Sequence, residues 1–160
     1  MNKSLWILAA ALAAAGAAQA DTLKKIKDTG SVTMGVRESS GALSYTLGSG
    51  KFVGYHVEIC ERVLRDIQKQ LGLTELTTKY QPVTSQNRIP LVQNGTVDIE
   101  CGSTTNNTAR QKDVAFANTT FVEEVRIAVK ADSGITSIAQ LNGKKVATTT
   151  GTTSVQTLRK

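Results

Sequence analysis

Apolar residues recur at Val57, Cys60, Val63, Leu64, Ile67 and Leu71, the spacing of one helical face, and predict a helix over 55–71 that Gly72 closes. Shorter β-rich runs predict strands at 31–36, 76–80 and 97–100. Residues 43–46 and 51–54 flank Leu47-Gly48-Ser49-Gly50, a hairpin turn signal. A short amphipathic start over 21–28 carries Leu23 and Ile26 on one side and stops at Thr29-Gly30. After the second strand, Ser85 or Asn87 can cap a helix that tolerates Pro90 in its first turn, points Ile89, Leu91 and Val92 at the core, and ends at Asn94-Gly95. Strand, helix, strand, helix, strand at these intervals predicts an α/β fold with a parallel sheet and right-handed crossovers.

The pattern then begins again. Extended pieces at 114–116 and 120–122 lead to an expected strand at 125–129, a short helix at 137–141, a strand at 144–148 and a helix opening at Ser154. A second unit of about 35 residues cannot bury a full core alone, so the chain is expected to be a fragment of a longer protein.

The first twenty residues assign a compartment. A positive head at Met1-Asn2-Lys3, an apolar stretch from Leu5 to Ala15 and the small-residue signal Ala18-Gln19-Ala20 predict a signal peptide cut after Ala20. The apolar stretch is too short and alanine-rich to favour a membrane anchor. The chain carries 19 basic and 13 acidic residues, a formal +6, and loss of Lys3 leaves it basic. Nucleic acid fits poorly, because the basic residues are scattered, aromatics are few and export removes that partner; small anions fit better.

Cys60 and Cys101 allow one intramolecular disulfide, which requires the helix of Cys60 to pack on the strand that ends at Cys101. Two buried thiols are the alternative. No metal site is expected, since the lone His56 and two distant cysteines match no ligand spacing, and no cofactor is expected either.

The chemistry gathers where strands end. The segment from Val97 to Arg110 runs from an apolar strand through hydroxyls and amides to one arginine; Thr84-Ser85-Gln86-Asn87-Arg88 and Gly35-Val36-Arg37-Glu38 repeat the arrangement. Hydroxyls, backbone N–H groups and a guanidinium can clamp a carboxylate, and three arginines imply a ligand with more than one negative group. Helix capping is the competing role for Ser85, Ser103 and Thr152. Glu38 and Glu100 are local partners that could neutralise Arg37, whereas neither is obviously placed for Arg88 or Arg110. The loop Thr150-Gly151-Thr152-Thr153-Ser154 lacks the lysine of a P-loop and suits a carboxylate. One histidine, no nucleophile with a neighbouring base and no carboxylate pair argue against an enzyme.

The run from Thr84 to Gly95, then Asp98-Ile99-Glu100-Cys101-Gly102-Ser103-Thr104-Thr105, then Arg110-Gln111-Lys112, resembles the periplasmic glutamate/aspartate-binding proteins of ABC transporters, within solute-binding protein family 3. Gly54-Tyr55-His56-Val57-Glu58-Ile59, Leu141-Asn142-Gly143-Lys144-Lys145-Val146 and Gly151-Thr152-Thr153-Ser154 look like wider signatures of that family. The resemblance implies a two-lobed periplasmic-binding-protein-like (type II) fold, truncated after the start of the second lobe. Its parts would be a signal peptide at 1–20, a first lobe at 21–120, a hinge at 121–127 and the beginning of a second lobe at 128–160. It also implies a cleft in which Arg110, Ser103 and Thr105 hold a ligand α-carboxylate. Arg37, Arg88 and Ser85 would hold a side-chain carboxylate, Thr152 and Thr153 would contribute from the second lobe, and an acidic residue beyond 160 would hold the ligand ammonium. The expected protein is a monomeric periplasmic receptor for L-glutamate or L-aspartate that serves membrane permease subunits. A dehydratase on the same scaffold and the sensing domain of a receptor are the alternatives.

Overall fold

The computed structural model describes residues 21–159; the expected signal peptide lies outside the described residues. Helix α1 (Thr22–Thr29) opens where the Asp21 carboxylate accepts the Lys24 N–H at 3.1 Å, and it closes at Gly30, whose φ of 61° suits a residue without Cβ. Strand β1 (Ser31–Val36) follows and lies at the centre of a parallel sheet in the order β4-β1-β5, with β4 at Thr77–Pro82 and β5 at Ile99–Glu100. A central parallel strand is covered on both faces, and β1 buries Val32, Met34, Gly35 and Val36 accordingly.

The hairpin of β2 (Tyr45–Gly48) and β3 (Lys51–Val53) turns through Gly48, Ser49 and Gly50, all at positive φ. It delivers the chain to α2 (Tyr55–Gln70), whose Val57 and Leu64 join the core with Ile26, Val32, Met34 and Val36. A disulfide joins Cys60 of α2 to Cys101 just beyond β5, so helix and strand exit are covalently tied. The Asp98 carboxylate ties the other end of that segment, accepting the Thr33 N–H and the Lys25 ammonium, each at 2.8 Å.

Helix α3 (Arg88–Gln93) links β4 to β5. Neither Ser85 nor Asn87 caps it with a side chain: Asn87 and Thr84 instead exchange hydrogen bonds with each other's backbone N–H groups. Its fully buried residue is Arg88, while Ile89, Leu91 and Val92 are only half-buried. Strand β5 is shorter than the 97–100 expectation, although Asp98 and Cys101 still donate to Thr33 and Gly35 of β1.

Beyond β5 the described residues contain no strand, so the strands expected at 125–129 and 144–148 are absent. An apolar run becomes a strand only where a neighbouring strand accepts its hydrogen bonds, and none lies beside these segments. The expected helix at 137–141 is a short 3-10 turn, Ile138–Leu141, and α4 (Thr153–Leu158) follows the Gly151 loop. No helix among the described residues is long and apolar enough to cross a membrane.

Candidate functional site

The three strands of the sheet run parallel, so their exits open at one edge, and five of the eight expected site residues form a nearly continuous circuit of contacts there. Arg37, one residue past β1, donates Nε to Ser40 Oγ at 3.1 Å, Nη1 to the Val83 carbonyl at 2.7 Å and Nη2 to Ser85 Oγ at 3.1 Å. Ser40 Oγ in turn meets Ser103 Oγ at 3.0 Å. Gly151 packs against Ser85 so closely that a Cβ there would lie 2.5 Å from the Ser85 carbonyl oxygen. The Gly151 carbonyl accepts from Arg110 Nη2 at 3.0 Å, and Arg110 Nη1 donates to the Thr105 carbonyl at 3.0 Å. Thr105 is two residues from Ser103, which brings the circuit round. Thr152 stands beside Gly151 with its hydroxyl donated to the Thr149 carbonyl, and Thr153 begins α4 without joining the circuit.

Capping therefore does not occupy these hydroxyls: Ser85 serves Arg37, Ser103 serves Ser40, and Thr152 makes no side-chain cap of α4. Nor is Arg37 paired with Glu38 or Glu100, because its guanidinium bonds only neutral oxygens. A guanidinium carries five N–H groups, so two remain for a ligand.

Arg88 is the electrostatic centre. It is 3% exposed, and its Nε and Nη1 are buried without a hydrogen-bond partner among the described residues. Burial lowers its pKa to about 10, with Arg110 and Arg37 adding to the effect and Glu100 opposing it. The side chain therefore stays charged at neutral pH. Burial also lowers the pKa of Arg110, against the pull of Glu100. An unpaired buried guanidinium costs several kcal/mol by general estimates, so its retention marks a place where an anion is to arrive.

Three residues that sequence reasoning left outside the site belong to its wall. Glu100, dismissed as a partner for Arg88 and Arg110, acts on both, and its Oε2 accepts the Thr104 hydroxyl at 2.7 Å. Gly102 leaves the space that Glu100 Oε1 and the Arg37 stem occupy, since a Cβ there would overlap both. His56 Nδ1 donates to the Gly102 carbonyl at 2.5 Å while Nε2 meets the Thr120 hydroxyl at 2.8 Å. The glycine between Cys101 and Ser103 was the available signal, because a glycine at a strand exit often marks a close approach. Arg88, Glu100, Ser103 and Thr105 line a cavity of about 520 Å³ between α2, α3 and residues 114–123. Among the described residues no acidic, histidine or cysteine cluster could hold a metal.

The profile of the bacterial extracellular solute-binding proteins, family 3, matches residues 32–159. Over 140 residues the chain is 51% identical to the L-glutamate/L-aspartate-binding protein of Pseudomonas aeruginosa, covering 86% of this chain and 46% of that one. Over 162 residues it is 46% identical to the glutamate/aspartate import solute-binding protein of Escherichia coli, covering 96% and 53% respectively. The chain thus spans about half the length of the curated relatives it matches. Among solved structures, an ancestral arginine-binding protein bound to glutamine superposes with a TM-score of 0.64 at 25% identity, covering 81% of this chain and 55% of that one. The cysteine-binding protein of Campylobacter jejuni superposes with a TM-score of 0.58 at 25% identity, covering 75% and 47%. The α/β architecture is that of the type II periplasmic-binding fold, and the chain belongs to the bacterial extracellular solute-binding proteins, family 3.

Proposed function

We propose that this chain supplies the principal ligand grip of a periplasmic receptor that takes an acidic amino acid, L-glutamate or L-aspartate, and presents it to the membrane permease of an ABC transporter. The observation that carries this is Arg88, buried with two unpartnered donors and flanked by Arg37 and Arg110. The names of the relatives from Pseudomonas aeruginosa and Escherichia coli support the same ligand class. Arg110, with Ser103 and Thr105, would hold the α-carboxylate. Arg37, Arg88 and Ser85 would hold the side-chain carboxylate, with Thr152 and Thr153 closing from the far side. In this arrangement residues 21–120 form one lobe, 121–127 a hinge, and 128–160 the start of the second lobe. The protein acts as a monomer, without cofactor or catalysis.

The magnitudes are sufficient. A charge-assisted hydrogen bond contributes roughly 1.5 to 3 kcal/mol and a micromolar complex needs about 8 kcal/mol, so several bonds to two carboxylates reach that figure. An apolar side chain would leave guanidinium donors buried and unpaired, which disfavours it. Calorimetric titration of the full-length protein with L-glutamate, L-aspartate and L-glutamine tests the proposal. Binding of the acidic pair that is lost in Arg110→Ala is expected; absence of binding to either acidic ligand would overturn it.

A further inference from the structure

Glu100 is the carboxylate whose charge acts on all three arginines, yet it forms an ion pair with none of them. Thr104 holds its Oε2, while Oε1 is buried without a donor, beside Gly102 and the Arg37 stem. Arg88 presents the opposite deficit, two buried donors without an acceptor, and both side chains line the same cavity. A ligand carboxylate answers Arg88 but places a second acceptor near Glu100. A ligand amide answers both, its oxygen accepting from Arg88 and its NH2 donating to Oε1.

We propose that Glu100 determines the selectivity of the side-chain subsite between acid and amide ligands. Ionised, it admits an amide and opposes a carboxylate; protonated, it donates its own O–H to a ligand carboxylate, and the acid is preferred. This inference rests on the receptor function proposed above and assigns a residue within that site.

The groups facing Glu100 are Arg37 after β1, His56 of α2, Arg88 of α3, Arg110 of the 3-10 turn Arg110–Lys112 and the Thr104 hydroxyl. Burial raises its pKa above the ordinary value of 4.5, and Thr104, Arg88, Arg37 and His56 oppose the rise. A bound ligand carboxylate raises it further, so glutamate binding takes up a proton at Glu100 while glutamine binding does not. The preference for glutamate then falls as pH rises through the pKa of Glu100.

The test is the ratio of affinities for L-glutamate and L-glutamine in the full-length protein from about pH 5 to about pH 8, above the ligand's own carboxyl pKa. The wild-type ratio is expected to fall about tenfold across this range, and Glu100→Gln to show a flat, higher ratio. A flat wild-type ratio, or an equal slope in Glu100→Gln, overturns the assignment. Should the variant not fold, calorimetry of the wild type in two buffers of different ionisation enthalpy decides: proton uptake with glutamate alone supports the assignment, and equal uptake with both ligands overturns it. Wild-type protein that binds neither ligand refutes the receptor function itself, an outcome distinct from binding with an unchanging ratio.

Discussion

Residues 22–101 and residues 121–159 have the same kind of sequence, short apolar runs separated by Gly and Asn turns, and they reach different structures. In the first region β1 has a strand on each side and Met34 is fully buried at its centre. In the second, Val122 remains 85% exposed and Val125 58%, and no strand forms. The runs do not differ in propensity; they differ in neighbours. A strand is a property of a pair, and the first region supplies its own pairs within 80 residues of chain through α2 and α3.

The largest expected effect comes from opening the covalent tie of the first region. Cys60 and Cys101 are 41 residues apart, and a loop of that size contributes about 4 kcal/mol by chain-entropy estimates. Paired Cys60→Ala and Cys101→Ala substitutions should lower the unfolding free energy read from urea denaturation by that amount, with a slope equal or steeper because the unfolded chain loses its cross-link. A loss below about 1 kcal/mol would mean that α2 and the β5 exit hold together without the bond. Next, Met34→Ala empties the centre of β1 and should cost about 3 kcal/mol, read from the same denaturation curves.

The boundary between what the sequence disclosed and what it hid follows from the same contrast. Helix α2 was legible because six apolar residues share one face, and β1 because its flanking Thr29-Gly30 and Arg37 bound a clean run. The strands at 125–129 and 144–148 were misjudged because periodicity reports a willingness to pair and is silent on whether a partner exists. At the site, Arg37, Arg88 and Arg110 stood out by type and position. Glu100 did not, because its influence on Arg88 and Arg110 arises from the folding of β5 against α3, a distance that no local spacing encodes.

Arg88 sharpens the contrast, because it is buried in the first region without serving that region's stability. Replacement of a buried unpaired charge by an apolar side chain of similar length is often neutral or stabilising. Arg88→Met should therefore leave the denaturation midpoint unchanged or raised, while affinity for L-glutamate in the full-length protein falls about 100-fold, or about 2.7 kcal/mol. A marked loss of stability with binding retained would return Arg88 to the scaffold.

The smallest effect is the most direct check on the two regions. Valine and threonine have nearly the same shape, so exchanging them tests only whether a hydroxyl can find water. Val32→Thr places that hydroxyl inside β1, where Val32 is 1% exposed, and an unsatisfied buried hydroxyl costs about 1 to 3 kcal/mol. Val125→Thr places it on an unpaired segment that water already reaches, and the expected change is within about 0.5 kcal/mol. Urea denaturation of residues 21–160 measures both. Equal losses would mean that residues 121–159 possess a packed core; a near-zero change confined to Val125 would locate all of the cooperative unfolding in the sheet that carries Arg37 and Glu100.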